Sequence, residues 1–290
     1  MIDQIGAAWQ LFAPGFCSGI VTAVLCGIVG IHVVLRRTVF LVLALAQMAS
    51  LGVALSLLAR GWMPGHGDPH LPHPWFHCLA DPALMSFATV LLGMALVWGM
   101  RGLGGLPSEA WLGGLTASAS ALSVLAVARS AYGLDEVKNL LFADFLLVQA
   151  DGFRALLLLA LAAGGVLILF RRRFLLAGFD PDQARAAGIS PGRWLLGLDL
   201  LTALVIAFTI RAGGSLVVFG FLILPPLAVI ASARRVKGLW LWSPLLGVLG
   251  TLAGLFGSLQ LDLPAGPSVI AAVAAAGLAF ALARRAARAS

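Results

Sequence analysis

Four of the five histidines in this 290-residue chain, His66, His70, His73 and His77, fall within twelve residues. They share residues 65–78 with Asp68 and Cys78. Imidazole, carboxylate and thiolate are the ligand types that zinc accepts. The spacings of four, three and four suit one helix face, but Pro69, Pro72 and Pro74 rule out a regular helix. A loop can still gather imidazoles around a passing metal. The same residues equally fit a polar, proline-stiffened loop that touches another protein, since no metal-finger spacing is present.

Other chemistry-bearing residues stand singly inside apolar runs. Asp199 is a carboxylate within such a run, a costly place for charge and by default a functional candidate. The alternative is an acid near the end of its span, paired with Arg193 or solvated. Gln47, Ser50, Thr202 and Thr209 are expected to hydrogen-bond between helices. His32, Cys17 and Cys26 read as packing residues.

The chain lacks a Gly-x-x-x-x-Gly-Lys-Ser/Thr loop and a His-Glu-x-x-His motif, and no Ser/His/Asp or Cys/His set shares a polar region. It is expected not to be an enzyme. Any nucleotide chemistry must come from another subunit.

The elements that must position these residues are membrane helices. The chain is 61% hydrophobic and 11% charged, with a mean hydropathy of +1.01. A soluble protein could not hide so much apolar surface. No alternating segments of the β-barrel kind appear. A span needs roughly 20 apolar residues. Candidate spans are 14–35, 39–59, 83–100, 110–129, 153–170, 194–210, 214–232, 239–258 and 266–283, about nine, with eight possible. The fold class is thus an all-α polytopic membrane protein, one transmembrane domain over residues 1–290. The first run is expected to be a span and not a cleaved leader, because no Lys or Arg precedes Arg36.

Arg36/Arg37, Arg171–Arg173, Arg234/Arg235/Lys237 and Arg284/Arg285/Arg288 mark cytoplasmic ends. Nine spans then put the N-terminus outside and the C-terminus inside. The formal charge of +7 sits at span ends, as topology signals do, and does not imply a nucleic-acid partner. Residues 60–82 become an extracytoplasmic His-rich loop and residues 171–192 a cytoplasmic loop.

That cytoplasmic loop holds a polar island that reads as a short helix over 180–188. Asp180 is a good N-cap, Pro181 fits the first helical position and Asp182 favours the positive end of the helix dipole. Gln183 can complete a capping box, and Gly188 suits the left-handed position after the helix. A capped helix of under two turns at a membrane surface reads as something that docks into a partner.

Four stretches give the chain a family likeness. They are Arg36-Arg37 with the span ending Ala49-Ser50-Leu51-Gly52-Val53-Ala54; Leu140-Leu141-Phe142-Ala143-Asp144; the island Phe179-Asp180-Pro181-Asp182-Gln183-Ala184 with Gly188; and Gly213-Gly214-Ser215 through Pro225-Pro226, followed by Pro264-Ala265-Gly266-Pro267-Ser268. In this order they resemble the membrane subunit of the ABC-type metal-uptake permeases, the zinc/manganese/iron group called the ABC-3 family. The resemblance implies a type II importer-like permease in a bacterial inner membrane. It implies a second permease copy, two cytoplasmic ATPase subunits and an extracytoplasmic metal-binding protein as partners. It also implies no permanent cofactor, only a transported metal ion, zinc first and manganese or iron next. Asp180, Pro181, Asp182, Gln183, Arg185 and Gly188 would form the coupling helix, seated in a groove of the ATPase. His66, Asp68, His70, His73 and His77 would capture metal. Gln47 and Asp199 would lie on the path.

The chain departs from the family at one place. The family commonly carries an Asp and a His one turn apart in the second span, and the positions here are Leu43 and Gln47. A leucine cannot bind a metal, and an amide is a poor zinc ligand. Two rival expectations follow: the same permease with another cargo such as a metal chelate, and a secondary carrier without an ATPase.

Overall fold

The computed structural model describes residues 2–62, 81–100, 108–129, 145, 148–232 and 236–289. Among the described residues ten helices run in order: α1 (Ile2–Leu35), α2 (Val39–Trp62), α3 (Pro82–Met100), α4 (Ser108–Ala128), α5 (Ala150–Leu169), α6 (Arg171–Phe179), α7 (Pro181–Ala186), α8 (Pro191–Ser232), α9 (Val236–Leu261) and α10 (Ala265–Ala289). Eight of them are long and apolar enough to cross a membrane. Their composition explains this. Leu, Val, Ile, Ala and Gly runs carry few groups that compete with backbone hydrogen bonds, and in lipid the helix satisfies every such bond internally.

The expected spans 194–210 and 214–232 both fall in α8, which has 42 residues. A straight helix of that length would reach about 63 Å, twice the thickness of a hydrocarbon core. It is not straight. Gly214 has φ 77° and ψ 168°, which ends one limb and starts another. The contacts show the direction of the second limb. Asp199 bonds to Arg36, while Leu222 and Pro226 press against Gly30 of α1. Gly30 and Arg36 are about 9 Å apart along α1, whereas residues 199 and 222 would be about 35 Å apart in a straight helix. The second limb therefore returns toward the end from which the first began. Pro225 and Pro226 lie inside this limb without interrupting it, and the break falls at Gly214, beside the gap 211–213 expected between the two spans.

α1 and α8 form the middle of the bundle. α2, α3 and α4 pack together on one side of α8, and α9 and α10 pack together on the other. α9 runs antiparallel to α1: Pro244 lies by Gly27, and Gly247 by Ala23. Ser243 Oγ donates to the Gly27 carbonyl at 2.9 Å. Ser86 Oγ of α3 donates to the Ala207 carbonyl at 3.2 Å, and Thr89 Oγ1 to the Met48 carbonyl at 2.7 Å. These serines and threonines link the helices. Thr202, expected to do so, instead donates to the Leu198 carbonyl within α8, whereas Thr209 donates to the Val205 carbonyl and also bonds with the Cys26 thiol of α1.

Following these contacts, the α1–α2 turn, the end of α3 and the start of α4, the α5–α8 segment, the end of α8 and the start of α9, and the end of α10 share one end of the bundle. Arg36, Arg37, Arg171–Arg173 and Arg284 therefore cluster at that end. The Gly214 reversal points to the opposite end, where Phe145 meets both Gly213 and Gly19.

Candidate functional site

The island is built largely as its residues require. Asp180 caps α7: its Oδ1 accepts from the Gln183 N–H at 2.9 Å. Pro181 takes the first helical position. At the other end Gly188 has φ 73°. The Gly188 N–H donates to the Arg185 carbonyl at 3.0 Å and the Ile189 N–H to the Ala184 carbonyl at 2.9 Å. This bond pair closes the helix around a left-handed residue. Asp182 and Arg185 pair across one turn at 2.7 Å, both largely exposed. One expected feature is missing. The Asp180 N–H donates to the Leu176 carbonyl, so the reciprocal half of a capping box with Gln183 does not form.

Residues 171–179, expected within a loop, form α6. Phe174 and Ala177 of this helix are buried, and that apolar pair was the missed signal. Phe174 packs edge-on against Trp194 at 5.3 Å and against His32 at 6.1 Å. His32 also meets Trp240 at 5.3 Å. Arg173 lies over the rings of Phe170 and Trp194 at 5.7 and 5.1 Å. Such contacts fix a cation against a ring face. Thus α6 is seated on α1 and α8. α7 projects from it with Ala184 as its buried residue and its other side chains exposed.

Asp199 lies near the same end, 3% exposed, with Oδ1 accepting from Arg36 Nη1 at 2.7 Å. Its partner is Arg36, not Arg193. Leu43 and Gln47 are both half-buried on α2. With Phe40, 52% exposed, they form a stripe at helical spacing that the rest of the chain leaves partly uncovered. The structure thus brings Asp180, Pro181, Asp182, Gln183, Arg185 and Gly188 into one helix, sets Asp199 near its root and keeps Gln47 apart on α2. His66, Asp68, His70, His73 and His77, and the stretch 140–144, lie outside the described residues. Among the described residues no three His, Cys, Asp or Glu side chains come together.

A bundle of eight span-length helices among the described residues, with a capped, exposed helix at its arginine-rich end, is the build of a multi-pass membrane protein. The chain belongs to the ABC 3 transport family, whose model matches residues 8–284. It is 25% identical over 262 residues to the high-affinity zinc uptake system membrane protein ZnuB of Haemophilus influenzae, covering 90% of this chain and 93% of that one. It is 26% identical over 288 residues to the manganese transport system membrane protein MntC of Halalkalibacterium halodurans, covering 92% and 85%. The fold matches that of PsaBC from Streptococcus pneumoniae, solved in complex with Fab, with a TM-score of 0.80 at 21% identity over 97% of this chain and 95% of that chain.

Proposed function

We propose that this chain is the non-catalytic permease subunit of an ATP-binding-cassette importer in a bacterial cytoplasmic membrane. It moves a divalent transition metal inward, zinc first and manganese or iron next, by alternating access. The observation that carries this reading is α7. Its two caps hold a six-residue helix in place although it buries only Ala184. A helix this short has little intrinsic stability, so caps on an exposed surface favour a rigid element offered to a partner. The partner is a cytoplasmic ATPase, since this chain has no nucleotide loop of its own. The arginine-rich end is the cytoplasmic side, which puts α7 within the ATPase's reach, the N-terminus outside and the C-terminus inside.

The stripe Phe40, Leu43 and Gln47 faces a second permease copy, with Gln47 on the path between the two. Asp199 acts through Arg36 at the cytoplasmic end of that path. The outer histidines His66, His70, His73 and His77, with Asp68, take metal from a binding protein. Leu43 and Gln47 favour one second reading, in which the same machine carries a metal chelate, because neither side chain retains a bare ion strongly.

The test is reconstitution. The chain is purified with its ATPase, placed in liposomes and supplied with a metal-loaded binding protein. ATP-dependent uptake of zinc is the expected result. Uptake of chelated metal alone would select the second reading. Uptake without any ATPase would overturn both.

A further inference from the structure

Arg36 touches three elements at once. It is the first residue of the turn after α1, and its backbone is fixed. The Arg36 N–H donates to the His32 carbonyl and the Thr38 N–H to the Val33 carbonyl, both at 3.0 Å. Between them Arg37 takes φ 57°, a left-handed conformation that a non-glycine residue adopts only under local constraint. The stem of Arg36 crosses α6 at Gly178, where even a Cβ atom would stand 3.2 Å from Arg36 Cγ and 3.4 Å from Cδ. Gly178 is two residues from Asp180, the cap of α7. The guanidinium then reaches α8 and donates to Asp199 Oδ1 at 2.7 Å.

We infer that the Arg36–Asp199 pair is the strut that passes movement of α6 and α7 to α1 and α8. The inference rests on the coupling role proposed for α7. Three observations carry it. The pair joins residues 163 apart in sequence at the root of the exposed helix. The stem lies closely across α6 at Gly178, where a Cβ would stand 3.2 Å from Arg36 Cγ, so a large side chain there would displace it. And the pair is a poor means of holding the bundle together. A buried ion pair gains little over apolar residues of the same volume, and its best-attested use is to fix register. Here Asp199 Oδ2 has no partner among the described residues, so the carboxylate holds Arg36 by one oxygen. One charge-assisted bond fixes a direction and leaves the joint free to pivot. Arg36 and Asp199 are therefore positioning residues that transmit, with no contact to the cargo required.

The experiment uses the full reconstituted complex and reads zinc transported per ATP hydrolysed. Wild-type protein must first show ATP-driven uptake; if it does not, the coupling reading itself fails. Arg36→Gln and Asp199→Asn should leave ATP hydrolysis within twofold of wild type and lower zinc per ATP at least tenfold. The exchanged double variant Arg36→Asp with Asp199→Arg should recover a third or more of the ratio. Gly178→Leu keeps both charges and displaces the stem, and should lower the ratio at least fivefold. It decides the matter if the charge variants do not assemble. An unchanged ratio in these variants would overturn the strut. So would hydrolysis and uptake falling together in proportion to the amount of assembled complex, which is the mark of a purely structural pair.

Discussion

Removing both caps of α7 is the sharpest test of how this permease is driven. The perturbation is Asp180→Ala with Gly188→Ala. Loss of the Asp180 Oδ1 bond to the Gln183 N–H costs about 1 kcal/mol. A Cβ at Gly188 would meet nothing within 4 Å, so that second cost is conformational and not steric. Holding an alanine at φ 73° costs about 1–2 kcal/mol. The sum of about 2–3 kcal/mol changes the helix equilibrium by roughly 30- to 150-fold at 1.4 kcal/mol per tenfold. α7 has six residues and one buried side chain, so little remains to hold it, and it should fray. No transmembrane helix loses a contact, so membrane insertion should stay at the wild-type level by immunoblot. ATP-driven zinc uptake in proteoliposomes should fall at least tenfold. Gly188→Asn is the control. Asparagine tolerates the left-handed position, so uptake should stay within about threefold of wild type. Uptake by the double alanine variant within twofold of wild type would refute the reasoning, since a frayed helix cannot carry a displacement.

Two further outcomes are expected. Replacing His66, His70, His73 and His77 together by alanine should slow uptake severalfold at limiting metal and leave it unchanged at saturating metal. Equal rates at both concentrations would remove the histidines from capture. Gly214→Val places a β-branched residue at φ 77°, at a cost of about 1–2 kcal/mol or more, and should lower the yield of monodisperse protein after detergent extraction. Gly214→Ala should lower it less, and equal yields for all three proteins would show that the reversal does not depend on that residue.

Much of the fold was legible because its signals are local. Apolar runs of span length need no partner to be recognised, and arginines at their ends mark one face of the membrane. The caps of α7 were legible for the same reason: Asp180, Pro181 and Gly188 act within one turn of where they stand. What the sequence hid was set by competition between neighbours. Gln183 was placed to bond back to Asp180, but the Leu176 carbonyl takes that N–H, because α6 runs directly into α7. Phe174 and Ala177 were read as part of a loop. The rings of Trp194 and His32, distant in sequence, pack against Phe174.

The reversal was legible as the gap between the expected spans 194–210 and 214–232, and the ion pair was harder. Pro225-Pro226 looks like the place to break a helix, because proline removes a donor. Yet both lie in the limb packed against α1, while Gly214, flanked by Gly213 and Ser215, supplies the positive φ that a sharp reversal needs. The turn falls at the residue whose backbone can take it, and the proline pair stays within its limb. Asp199 shows the same logic for charge. A carboxylate within an apolar run must find a partner, but spacing alone cannot say which one. Arg193 is nearer in sequence. Arg36 is the partner because the first limb of α8 runs antiparallel to α1 and brings residue 199 level with residue 36. That pairing places the acid at the root of α7, and if α7 docks on an ATPase as proposed, Asp199 stands with the coupling element through Arg36 and not through a neighbour on its own helix.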